Sequence, residues 1–189
     1  MEKTAVQKLA GALKVLVTIT LVCNLVALLL VPGMSLMKGP EELLALTPYE
    51  NPLEVPLRVG IAFVLSWGWV WTAGVYEVVL ALFLLFCGIC TAVILWQGRR
   101  VLGTILTGAP FRAENGVSLR RAAVCCFLIA AAALARVVWG LFYYGSVAPL
   151  LTYNALFVPI FILCGLLCLV MSALFRQAAE LKAENDLTI

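Results

Sequence analysis

The stretch Val75-Tyr-Glu-Val-Val-Leu-Ala-Leu-Phe-Leu-Leu-Phe-Cys-Gly-Ile-Cys-Thr-Ala-Val-Ile-Leu-Trp96 ends at Gln97-Gly-Arg-Arg100 and carries a single charge, Glu77, before that basic stop. Bilayer hydrocarbon is about 30 Å thick, so a crossing helix needs about 20 mostly apolar residues. This stretch meets the requirement, and three more of the same kind lie at about residues 15–31, 122–144 and 155–175. The first of these stops at Pro32-Gly33. Backbone N–H and C=O groups facing lipid must bond within their own segment, so all four spans should be α-helices. The bulk composition agrees. Of 189 residues, 64% are hydrophobic and 12% charged, with mean hydropathy +1.08. A soluble domain carries about 45–50% apolar and about 25% charged residues, and a disordered chain fewer apolar residues still. The expected fold is an all-α membrane protein, a single four-transmembrane-helix bundle over residues 1–189.

The basic residues orient it. Lys3, Lys8 and Lys14 precede the first span, Arg99, Arg100, Arg112, Arg120 and Arg121 lie between the second and third, and Arg176 and Lys182 follow the fourth. Of the 13 basic residues only Lys38, Arg58 and Arg136 fall elsewhere. The positive-inside rule then places both termini in the cytoplasm, with a cytoplasmic loop at 97–121 and a cytoplasmic tail at 176–189. Trp67, Trp69, Trp71, Trp139, Tyr143, Tyr144 and Tyr153 come near the outer ends of the spans, as an aromatic belt requires. The first span reads as a retained helix, because no A-x-A-like cleavage site follows it. The expected location is the plasma membrane, multi-pass.

A small extracytoplasmic loop, residues 32–74, separates the first two spans. Pro40, Pro48, Pro52 and Pro56 punctuate it and argue against long helices. An irregular cap is expected, with residues 55–64 as a short extended segment or an interfacial helix. The apolar run 61–71 offers an alternative, an outward extension of the second span with Gly68 and Gly74 as weak points.

Charges inside a span are costly and are functional candidates by default. Glu77 and Arg136 are the two. At about 1.5 Å per residue, Arg136 stands about 22 Å above Arg121 and Glu77 about 30 Å above Gln97. Arginine can snorkel across the difference. An ion pair between Glu77 and Arg136 is therefore expected, either as a structural lock or as part of an outer-leaflet polar pocket. Asn24, midway in the first span, suits an interhelical hydrogen bond.

Cys87 and Cys90 have redox spacing, but such chemistry needs an accessible, acidified thiolate, and no cation neighbours them in sequence. Cys164 and Cys168 share a helix face without histidine or acidic partners, which argues against a metal. The chain has no histidine at all, which removes histidine-dependent catalysis. Neither enzymatic activity nor a cofactor is expected. A net charge of +3 is too small for direct nucleic-acid binding.

In the inner loop the second helix should run to about Leu106, stop at Thr107-Gly108, turn at Ala109-Pro110-Phe111 and restart near 112–115. The fourth helix should continue about three turns past Phe175 and leave Asp186, Leu187, Thr188 and Ile189 as the terminus. Gly108-Ala-Pro-Phe-Arg-Ala-Glu-Asn115 with Leu119-Arg-Arg121, and Phe175-Arg-Gln-Ala-Ala-Glu-Leu-Lys-Ala-Glu-Asn-Asp-Leu-Thr-Ile189, resemble the signatures of a bacterial four-helix membrane family known as domain of unknown function 2975. Genes of that family often lie beside one for a very small helix-turn-helix regulator. The resemblance thus implies a membrane-bound partner of a transcription regulator. Phe111, Arg112, Glu114, Asn115, Arg120 and Arg121, with Asp186 to Ile189, are the expected docking surface.

Two alternatives compete with a regulatory protein. A small transporter, immunity or resistance protein would use Glu77, Arg136 and Asn24, although unbroken spans without an inverted repeat disfavour a monomeric transporter. A dimeric exporter, a homo-oligomer, stays open. A membrane thiol oxidoreductase would rest on Cys87 and Cys90 alone.

Overall fold

The computed structural model describes residues 5–36, 55–109 and 111–187. Helix α1 is Ala5–Leu36, α2 Val55–Trp69, α3 Val75–Leu106, α4 Ala113–Tyr144 and α5 Tyr153–Leu187, with 3-10 turns at Val70–Thr72 and Ala148–Leu151. Among the described residues there is no strand. Four helices, all but α2, are long and apolar enough to cross a membrane. Their exposed faces are apolar as well: Leu163 and Leu167 of α5 are 61% and 65% exposed. Side chains of that kind favour lipid contact over water.

The chain divides into two compact units, Leu25–Gly88 and Met1–Asn24 with Ile89–Ile189. In the first, Val31, Val70 and Ala81 form the core, with Leu36, Leu84 and Leu85 against it. Pro32 does not end α1 as the sequence suggested; the helix continues to Leu36. The proline removes a donor to the Leu28 carbonyl, and such freed backbone groups are tolerated in apolar helices where neighbours supply partners. Here the Trp67 indole N–H donates to the adjacent Leu29 carbonyl at 3.0 Å, and the Ser35 hydroxyl donates to the Pro32 carbonyl at 2.9 Å. Of the two alternatives for residues 55–64, an extended segment or a helix, the chain takes the helix, which runs from Val55 to Trp69. Pro56 occupies the opening turn of α2, where the missing N–H costs no intrahelical bond. The apolar run ends at Gly74 rather than merging with the next helix, so α3 begins anew at Val75. The rest of the outer loop, residues 37–54, lies outside the described residues.

In the second unit α4 and α5 pack along their length through small residues. Ala122, Ala123, Cys126, Ala130, Ala133 and Gly140 line the buried face of α4, with Ile129 and Val137 between them. A Cβ on Gly116 would meet the Ser172 carbonyl at 3.0 Å and the Arg176 side chain at 2.7 Å. One on Gly165 would meet the Phe127 ring at 2.8 Å. Hydrophobic collapse cannot hold helices together in lipid, so this close approach takes its place.

Candidate functional site: the basic end of α1, α3, α4 and α5

Helix α3 stops where the sequence places the stop. Gly108 adopts a left-handed φ of 75°, its N–H donates to the Ile105 carbonyl at 3.1 Å, and the Ala109 N–H reaches back to the Thr104 carbonyl at 3.1 Å. Those two bonds are a Schellman cap, which satisfies carbonyls that the helix end would strand. α4 starts five residues after Gly108, following Arg112 in extended conformation. Glu114 stands in its first turn, where negative charge suits the helix dipole.

Two side-chain bonds tie the start of α4 to its neighbours. Asn115 Nδ2 donates to Thr104 Oγ1 at 2.7 Å, tying α4 to α3. Ser172 Oγ donates to the Gly116 carbonyl at 2.7 Å, tying α5 to α4. Asn115 and Ser172 are 2% and 5% exposed, and the Ser172 bond is buried while the Asn115 bond is part-buried. The Phe111 ring lies 6.4 Å from that of Phe175, centre to centre. Asn115 was expected on a docking surface; it is buried instead, its amide turned to Thr104. Phe111, Arg112, Glu114, Arg120 and Arg121 do remain exposed, Phe111 by 52%.

Two cavities open at this end. One of about 250 Å³ is lined by Arg100, Thr104, Arg112, Glu114, Asn115 and Ser118. The other, of about 260 Å³, is lined by Lys14, Trp96, Arg99, Arg100 and Gly103. Close by in sequence, Gln97 is 6% exposed and its Oε1 accepts no hydrogen bond. The backbone of the tail is helical to Leu187, two residues further than expected, while the side chains of Asp186 and Leu187 and all of Thr188 and Ile189 lie outside the described residues.

The intramembrane charges fall in different units. Glu77 is half-buried in the first turn of α3, and its carboxylate turns back over Gly74, where a Cβ would stand 2.5 Å from Oε2. A glutamate three residues into a helix, facing the residue that precedes it, suits the positive helix start. Arg136, half-buried in α4, donates from Nη1 to Asn154 Oδ1 of α5 at 3.3 Å. Asn24 is half-buried in α1. Cys87 and Cys90 are not joined in a disulfide, and Cys90 is only 6% exposed. Among the described residues no three His, Cys, Asp or Glu side chains gather as metal ligands.

Thr104, Ser172 and Asn154 were missed in the sequence. Each is a small polar residue inside or beside an apolar run, and that isolation was the available signal. What it could not supply was the partner: Asn115, Gly116 and Arg136 belong to other helices.

The geometry defines an all-helical chain of membrane type whose polar side chains concentrate in a braced basic end. The chain belongs to the family described as protein of unknown function, DUF2975, whose model matches residues 46–189. The match reaches well beyond the inner loop and tail that carry the resemblance, and leaves all of α1 outside. No curated protein and no solved structure matches the chain.

Proposed function

We propose that this chain is a non-enzymatic, multi-pass protein of a bacterial plasma membrane, with both termini cytoplasmic. Its basic end docks a small cytoplasmic helix-turn-helix transcription regulator, which alone contacts DNA. The build of the loop carries this reading. The Asn115–Thr104 and Ser172–Gly116 bonds tie together the three helices around the connection, while Phe111, Arg112, Glu114, Arg120 and Arg121 stay in the open. A connection that merely joined two spans would need no such bracing. Aromatic and arginine side chains on a rigid support are the usual anchors of protein interfaces. Glu180 and Glu184, exposed near the end of α5, add the opposite charge. Exposed ion pairs contribute only about 0–1 kcal/mol, so pairs within this face exchange readily for a partner's. The proposed docking surface also takes in Asp186, Leu187, Thr188 and Ile189.

Capture by the tagged full-length chain of a helix-turn-helix protein encoded beside it tests this directly. Arg120→Glu with Arg121→Glu, and separately deletion of residues 186–189, should each lower recovery of the regulator at least about tenfold, the cost of losing one interface anchor. Both should leave membrane insertion intact and stability within about 0.5 kcal/mol, because Arg120 and Arg121 are exposed and the deletion shortens none of the apolar runs. A charge-reversed chain that keeps the regulator as well as the parent would overturn the docking surface.

A further inference from the structure

We propose that the cavity formed by Lys14, Trp96, Arg99, Arg100 and Gly103 holds the phosphate of an anionic glycerophospholipid. Three cations and no acid line its roughly 260 Å³. Like charges gathered in one cavity repel unless an anion enters, and guanidinium and ammonium donors match phosphate oxygens. Lys14 reaches α3 beside Gly103, where a Cβ would lie 3.6 Å from its Nζ, at ordinary contact distance. The Arg99 guanidinium is steadied over the Trp96 ring, 5.9 Å from its centre. Arg100 is shared with the neighbouring cavity, where Glu114 also stands.

The level of the cavity along the helices points to lipid. Lys14 immediately precedes the apolar run of α1, and Trp96 closes that of α3. Charge therefore meets hydrocarbon at one height on both helices, where phospholipid headgroups lie. Basic pockets between membrane helices recognise such headgroups. The surface leading away from the cavity suits acyl chains. Ile89, Val93 and Trp96 form an exposed stripe at helical spacing on α3, and Leu13 and Leu16 are exposed beside Lys14 on α1. A free phosphate would use the cations and leave this stripe unused. The site is independent of the regulator and stands or falls without it.

The test is thermal unfolding of the detergent-solubilised full chain with added phosphatidylglycerol, phosphatidylcholine or inorganic phosphate. At a hundredfold excess over its Kd, phosphatidylglycerol should raise the melting temperature by about 5–10 °C. Phosphatidylcholine and inorganic phosphate should do far less. Arg99→Gln with Arg100→Gln should weaken phosphatidylglycerol binding about 30-fold, at about fivefold per cation. Lys14→Gln, on a different helix, should weaken it about fivefold and guards against misfolding of the arginine variant. Lys8→Gln with Lys182→Gln removes the same charge from exposed positions outside the cavity and should keep the full shift. Equal loss in that control, or full retention in the cavity variants, would overturn the site. An equal rise with inorganic phosphate would overturn a lipid occupant, and an equal rise with phosphatidylcholine would overturn selection for an anionic one.

Discussion

At the scale of single residues, each intramembrane charge has a local environment that suits it. Arg136 bonds across to Asn154, and Glu77 sits in the opening turn of α3. The bond between Arg136 and Asn154 joins two helices in a medium where few polar partners exist. A double-mutant cycle with Arg136→Gln and Asn154→Ala should therefore give a coupling energy of about 0.5–3 kcal/mol in detergent melting. Additive effects would show that the contact contributes nothing. The pairing of Glu77 with Arg136 expected from sequence has its own test, the exchange Glu77→Arg with Arg136→Glu. Recovery of the stability lost in each single variant supports the pair, and no recovery sinks it. Both residues stood out in the sequence because a charge in an apolar run is conspicuous. Asn154 did not, since an asparagine at the edge of a span reads as an end rather than as a partner.

At the scale of elements, glycine decides where helices stop and how closely they approach. Gly108 and Gly145 close α3 and α4 with φ of 75° and 59°, a conformation that L side chains rarely adopt. Gly145 makes the simpler cap, its N–H donating to the Leu141 carbonyl at 3.0 Å. Gly116 works differently, by leaving room for the α5 backbone. Gly116→Ala should destabilise the chain by about 1–3 kcal/mol through overpacking, since the Ser172 carbonyl cannot retreat as a flexible side chain can. Gly98→Ala is the matched control: a Cβ there meets nothing within 4 Å, and removing glycine from a helix interior favours the helix. Thermal unfolding of the two variants should move in opposite directions. Parallel shifts would mean that the close approach of α4 and α5 does not govern stability.

At the scale of the whole molecule, the asymmetry of basic residues sets the expected threading. Reporter fusions after Lys14, Glu50, Ala113, Val147 and Glu184 should report inside, outside, inside, outside and inside in turn. A fusion at Glu50 reporting the cytoplasm would reverse the arrangement, and would carry the proposed docking face and the proposed phosphate site to the other side of the membrane. The two proposed sites follow the same asymmetry. Both the braced loop and the basic cavity lie at one end of the unit built from Met1–Asn24 and Ile89–Ile189.

The sequence by itself determined that four helices are long and apolar enough to cross a membrane, because bilayer thickness and backbone hydrogen bonding leave an apolar run of that length few other states. It also determined the end of α3 at Leu106, since Thr107-Gly108 is chemistry a helix stop requires. Tertiary structure decided what local chemistry leaves degenerate. Pro32 breaks an isolated helix, yet α1 passes through it, with the indole of Trp67, far along the chain, bonded to a carbonyl one turn back. Residues 55–64 have β-branched character, yet they coil where an apolar setting rewards internal backbone bonds. Asn115 looks like a surface residue beside its charged neighbours, yet Thr104 draws it inward. For the turn of α1 at Pro32 and for Asn115 the partner lies in another element, and no local pattern in the sequence records the distance between them.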